Sequence, residues 1–130
     1  MYRSFKEMPV WQAAMSAAEM VFQLTETLPK KEDYGLTSQA RRSTLSISAN
    51  IAEAFGKEHK LEKINFYYFA RGSLTETQSH LDYGTRVGYF DGEKVRHLDR
   101  ELNSLHNDLN KLIRALKSRV TQAKVDKESG

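Results

Sequence analysis

Val95-Arg-His-Leu-Asp-Arg-Glu-Leu-Asn-Ser-Leu-His-Asn-Asp-Leu-Asn-Lys-Leu-Ile-Arg-Ala-Leu116 is the stretch that decides the fold. Val95, Leu98, Leu102, Leu105, Leu109, Leu112 and Leu116 recur at alternating steps of three and four, the heptad seam of left-handed helix packing. Polar and charged residues fill most positions between them, which leaves the rest of the surface to water. A strand would alternate by two, and no such pattern competes. The spacing predicts a helix from Asp91-Gly92, with Asp91 as its cap, to about Gln122.

Working outward from this seam, three more helices can be read. One runs from about His59 to Val87 and stops before Gly88. Another opens at Thr37 as N-cap and closes at Gly56 as the residue beyond its end. The first starts at Pro9, a residue suited to a first helical turn, and ends before Pro29. Its apolar positions are Trp11, Ala14, Met15, Ala18, Val21, Phe22 and Leu28. Four long helices with short connections predict an all-α, antiparallel up-down-up-down four-helix bundle as one domain over residues 1–122. The polar tail, residues 123–130, is expected to be frayed and disordered.

The 130 residues include no cysteine, which excludes disulfides, cysteine–zinc sites and thiol nucleophiles and suits a reducing cytoplasm. No apolar run reaches the roughly 20 residues that span a bilayer, and the first residues lack the pattern of a signal peptide. A cytoplasmic protein without membrane contact is expected. Twenty Lys and Arg against 17 Asp and Glu leave a net charge of +3, a mild excess that permits an anionic partner.

The second helix carries no charge from Ser43 to Ala52. Ala40, Ile47, Ile51 and Phe55 can face the core. Leu45, Ser46, Ala49, Ala52 and Glu53 lie on the other side, where Lys and Glu are usual on a solvated helix. A second buried face points to a homo-oligomer.

Several separate stretches then occur in order: Leu28-Pro-Lys-Lys-Glu-Asp-Tyr-Gly-Leu-Thr-Ser-Gln-Ala-Arg-Arg42, Ser46-Ile-Ser-Ala-Asn-Ile-Ala-Glu53, Ala70-Arg-Gly-Ser-Leu-Thr-Glu76 and Gly88-Tyr89. The series resembles the four-helix bundle family encoded within intervening sequences of bacterial 23S rRNA genes. That family is in turn similar to the accessory variability proteins of diversity-generating retroelements. The resemblance implies a ring, typically a homopentamer, with RNA or DNA and a reverse transcriptase as partners. Ala54 and Thr77 depart from the family pattern, which usually has Gly and often Leu there; both look like packing positions. Gly72-Ser73 within a helix costs about 1 kcal/mol unless close helix approach repays it. Glu53 and Arg42 are each placed to pair with a neighbouring helix or subunit, and Asn50 to satisfy a backbone group.

Catalytic chemistry is mostly missing. No Glu precedes a His by three positions, and His59, His80, His97 and His106 form no metal-binding spacing, so no metal or cofactor is expected. Glu76 and His80, four apart, read as a surface pair. Gly84, Gly88 and Gly92 make no phosphate loop, and no serine sits in a nucleophile elbow. Arg100 and His106 resemble the spacing of metal-independent ribonucleases built on HEPN domains, with Glu101 against that pattern; a solvated surface accounts for them as well.

Basic residues form two clusters: Arg41, Arg42, Lys57, Lys60 and Lys63, and then Lys111, Arg114 and Lys117, continued by Arg119 and Lys124. Phe66, Tyr67, Tyr68 and Phe69 follow the first, mostly as core or interface, with Tyr67 or Tyr68 exposed. A ring would repeat each cluster around an axis. The expected function is non-enzymatic binding of RNA or DNA phosphates by an oligomer. A protein-binding scaffold is the alternative.

Overall fold

The computed structural model describes residues 1–129; Gly130, the last residue of the expected tail, lies outside the described residues. Four α-helices pack around one core: α1 (Pro9–Thr25), α2 (Leu36–Gly56), α3 (Lys60–Arg86) and α4 (Gly92–Ser129). Two short 3-10 turns, Phe5–Glu7 and Lys30–Glu32, precede α1 and α2, and there is no strand among the described residues. The arrangement is a helical bundle in which α2 packs on α1 and α3, and α4 closes the circle against α3 and α1.

The seam of α4 supplies Val95, Leu98, Leu102, Leu105, Leu109, Ile113 and Leu116 to the core. Ile113 takes the place expected of Leu112, which is half-buried. The cause is helical pitch. A strict seven-residue repeat drifts about 20° per heptad on a straight helix, and five turns of about 3.6 residues lead from Val95 to Ile113. In α1 the buried set is Val10, Ala14, Ala17, Val21 and Thr25. Trp11, Met15 and Ala18 are pushed to one side as partly buried flanks, and Phe22 is half exposed at 50%.

Helix ends also differ from expectation. The α2 helix starts at Leu36, and Thr37 is not its cap. Glu32 performs that service from four residues upstream, its Oε1 accepting the Leu36 N–H at 3.2 Å. Thr37 turns inward and is buried. Its Oγ1 finds no hydrogen-bond partner among the described residues. Gly56 closes α2 as its last residue without a positive φ. No left-handed residue is required there, because Lys63 Nζ donates to the free carbonyls of Ala54 (3.0 Å) and Phe55 (3.2 Å).

The end of α3 follows expectation. Gly88 has φ +85°, and the N–H groups of Gly88 and Tyr89 donate to the carbonyls of Thr85 (3.1 Å) and Gly84 (2.8 Å). This is the Schellman arrangement. Phe90 folds back so closely that a Cβ on Gly84 would stand 3.0 Å from Phe90 Cζ, with other ring atoms nearer still. Asp91 caps α4 by accepting the Glu93 N–H at 3.4 Å.

The helix α4 does not stop near Gln122. It runs to Ser129 with every residue after Val120 exposed. The expected disordered tail is therefore helical over residues 123–129. Ala, Lys and Glu favour the helix, and Gln122 Nε2 donates to Asp126 Oδ1 at 2.8 Å one turn on.

Thr77 explains one departure from the family pattern. It is wholly buried and shares a hydrogen bond of 2.8 Å with Ser43 Oγ, itself wholly buried on α2. Thr77 Oγ1 also donates to the Ser73 carbonyl at 2.9 Å. The hydroxyl that replaces a leucine thus arrives with its partner. Ala54 is buried without exposure. Gly72, by contrast, has nothing within 4 Å of a built Cβ and is exposed, so no close approach within the chain repays its cost.

Candidate nucleic-acid interface

The helices sort the predicted basic residues into engaged and free. Arg41 is engaged. Its guanidinium lies 4.4 Å from the centre of the Phe22 ring, Nε donates to Thr25 Oγ1 at 2.8 Å, and Glu26 stands 3.5 Å away. Arg42 is paired with Glu76, and its Nε donates to Gln39 Oε1 at 3.2 Å. Lys63 is the α2 cap already described. These three residues, expected to meet phosphate, instead tie α2 to its neighbours, because each lies beside a carboxylate or carbonyl that the linear sequence does not reveal. Lys57 sits 5.2 Å from the Phe66 ring centre, half-buried, and Lys60 is exposed.

Lys111, Arg114 and Lys117 are all exposed on α4, as are Arg119 and Lys124. No acid occurs between Asp108 and Asp126. At about 100° per residue, Lys117 leaves the helix roughly 120° away from Lys111, so the cluster wraps around α4 and does not form one stripe. Lys117 turns toward α3, its Nζ 5.2 Å from the ring centre of Tyr68. Arg71 lies 4.8 Å from the same ring and donates to Asn110 Oδ1 at 2.8 Å. Of the two tyrosines, Tyr68 is half-buried, and Tyr67 is buried, its phenol held above its usual pKa by desolvation.

Two hollows adjoin at this place. One, about 520 Å³, is lined by Leu61, Ile64, Asn65, Tyr68, Lys117, Val120 and Thr121. The other, about 420 Å³, continues it past Leu61 and Val120 to His59, Lys60, Ala123, Lys124 and Lys127. Sequence reasoning missed Leu61, Val120 and Lys127. The periodicity of α4 does extend the apolar seam through Leu116, Val120 and Ala123, and that was the available signal.

The face expected to be an oligomer interface is open. Leu45 is 56% exposed, Ala49 and Glu53 are exposed, and Ser46 and Ala52 are half-buried. Ala49, Ala52 and Glu53 line a shallow hollow of about 430 Å³ with Gly56 and Lys57. Ser46 is occupied within the chain: Ser73 Oγ donates to its hydroxyl at 3.0 Å and Asn50 Nδ2 to its carbonyl at 2.9 Å.

A third region is acidic. Thr75, Gln78, Ser79, Asp82, Tyr83, Arg86, Asp99 and Asn103 line a hollow of about 640 Å³ between α3 and α4. Burial first, and the charge of Asp82 second, push the Asp99 carboxyl above the usual carboxylate range. His80 Nε2 and Glu76 Oε2 are 3.1 Å apart, the surface pair expected. Arg100 and His106 leave α4 about 120° apart. His106 Nδ1 is 3.3 Å from Asn110 Nδ2, and Arg100 is exposed. One protomer does not bring these two side chains together.

The family model for the 23S rRNA-intervening sequence protein matches residues 6–111. The chain belongs to that family. A member of the S23 ribosomal protein family from Bacteroides thetaiotaomicron VPI-5482, a protein of unknown function, has a similar crystal structure. The two share 21% identity over 80% of this chain and 97% of the other, with a TM-score of 0.72. No curated protein matches the sequence. The S23-type match ends at Lys111, so Arg114, Lys117 and the groove wall at Val120 belong to the part of α4 that the family pattern leaves unspecified. No described helix is long and apolar enough to cross a membrane.

Proposed function

We propose that this S23-family protein is a cytoplasmic, non-enzymatic homo-oligomer that binds RNA or DNA through phosphate contacts made by α4 and the start of α3. The observation that carries this reading is the run of exposed cations on α4, Lys111, Arg114, Lys117, Arg119 and Lys124, along helix with no carboxylate between Asp108 and Asp126. Phosphate binding needs cations that carbonyls or carboxylates of the same chain have not taken, and these have no such partner in the hydrogen bonds and ion pairs described above. Lys60 belongs with them. Arg41, Arg42 and Lys63 do not.

Assembly is supported by Leu45, Ala49 and Ala52, an uncharged strip beside half-exposed Phe22. A ring, most simply the pentamer that the family resemblance implies, would bury the strip and repeat the α4 cations around its axis. The up-down-up-down order of the helices is part of this proposal. The contacts Arg42–Glu76, Ser43–Thr77, Ser46–Ser73 and Ala54–Lys63 favour it, since residue numbers rise along α2 as they fall along α3. A reverse transcriptase as protein partner follows from the family resemblance alone.

Gel shifts over a salt series test the reading. Affinity should fall steeply with salt, and Lys111→Glu with Arg114→Glu should weaken binding across unrelated sequences alike. If the wild-type oligomer shifts no RNA or DNA at low salt, phosphate binding is wrong and the protein-binding scaffold replaces it.

A further inference from the structure

The groove between the start of α3 and the end of α4 has a feature that phosphate binding does not require. Its floor is aliphatic. Leu61 is 63% exposed, and Val120 is half-buried beside it, above the buried Ile64. Around this floor stand Lys60, Lys117, Lys124 and Lys127 with Asn65, Tyr68 and Thr121, and no carboxylate lines either hollow. A duplex would offer the lysines its phosphates and leave the floor in water, because its bases are stacked inside.

We infer that this groove accepts an unstacked base, so that the nucleic acid bound is single-stranded, with a base lying on Leu61 and Val120 and its phosphates at Lys117, Lys124 and Lys60. This rests on the phosphate-binding reading and narrows it. Charge selects the occupant. A second copy of the same groove would set lysine against lysine, whereas a polyanion is attracted. Shape narrows it further. A docked amphipathic helix needs apolar anchors over successive turns, at positions i, i+3, i+4 and i+7, and the open floor presents only Leu61 and Val120 at one level. Two aliphatic side chains flanked by an amide, a phenol ring and a hydroxyl suit a flat ring with polar edges. None of these groups distinguishes one base from another, so sequence preference is weak.

The test compares a fluorescent oligouridylate with an RNA duplex of similar charge by anisotropy, using the full chain. The variants Leu61→Ser and Val120→Ser remove the apolar floor without changing charge, and both side chains lie largely outside the core. The inference expects the single strand to bind more tightly than the duplex, and each variant to weaken only the single strand, by about tenfold for a lost base contact. Lys117→Gln should weaken both ligands. Shifts of the Leu61 and Val120 methyl resonances on adding oligouridylate would support the placement. Equal binding of both RNAs, unchanged by either serine variant, overturns the base slot and leaves the phosphate reading standing. No binding of either RNA at low salt removes the phosphate reading and the base slot together. An amphipathic Glu/Leu peptide that binds, and loses affinity in Leu61→Ser, while oligouridylate does not compete, overturns the inference in favour of a protein partner.

Discussion

Alanine at Gly84 and alanine at Gly72 are the same substitution in the same helix, and the packing predicts opposite outcomes. At Gly84 the new methyl meets the Phe90 ring well inside van der Waals contact, and even the far Cζ is only 3.0 Å away. The turn cannot easily retreat, since the Gly84 carbonyl accepts from both Tyr89 (2.8 Å) and Phe90 (3.2 Å). Removing a helical glycine gains about 1 kcal/mol. Overpacking costs about 1–3 kcal/mol, and expelling the ring would approach the 3–5 kcal/mol of a lost core phenylalanine. We therefore expect Gly84→Ala to destabilise by about 2 kcal/mol net. At Gly72 nothing lies within 4 Å, so Gly72→Ala keeps the gain of about 0.5–1 kcal/mol. For a chain of 130 residues these correspond to a Tm roughly 8 °C lower and roughly 3 °C higher. Thermal unfolding of both variants beside wild type is the assay. A Gly84→Ala protein as stable as wild type would refute the close packing of α3 on the Phe90 turn. A destabilised Gly72→Ala protein would show that its open face is covered in the assembled state.

Three further outcomes are expected. Thr77→Val should cost about 1–2 kcal/mol by urea unfolding, because Ser43 loses its partner, and Ser43→Ala combined with it should cost less than the two singly measured losses added together. Asp99→Asn should stabilise at neutral pH: a carboxyl with a raised folded pKa binds its proton more tightly when folded, so stability falls as pH rises through that window, and the gain over wild type should vanish in acid. Ala49→Glu should lower the mass seen by light scattering at fixed concentration, since it places a charge in the uncharged strip of α2; an unchanged mass would put the interface elsewhere.

The leucine seam, the four helices, the Asp91 cap and the Gly88 end were all legible, because each is a local pattern with a local cause. What failed was relational. Ile113 displaced Leu112 because pitch accumulates along a helix, a drift that a list of three-and-four spacings conceals. Thr37 looked like a cap until Glu32 came from outside the helix to fill that role. Arg41, Arg42 and Lys63 have the same letters as free cations, and only the fold shows Thr25, Glu76 and the Ala54 carbonyl beside them. Leu61 and Val120 were passed over because each is an ordinary apolar residue until the two helices set them side by side in the open.

The buried hydroxyls of Ser43 and Thr77 have a bearing on how many structures the chain could adopt. A bundle whose long helix repeats leucine at nearly constant spacing can slide by a turn and still find leucine opposite apolar surface. Neighbouring registers would then differ little in energy, and the chain would populate several. The hydroxyl pair removes that degeneracy between α2 and α3. In a slipped register each hydroxyl would face a methyl group in a dry interior, and an unsatisfied buried polar group costs about 1–3 kcal/mol. Two such losses against a total stability of about 5–15 kcal/mol confine the pair to one alignment. A slot where related chains often place leucine thus becomes the index mark by which two otherwise forgiving surfaces find a unique fit.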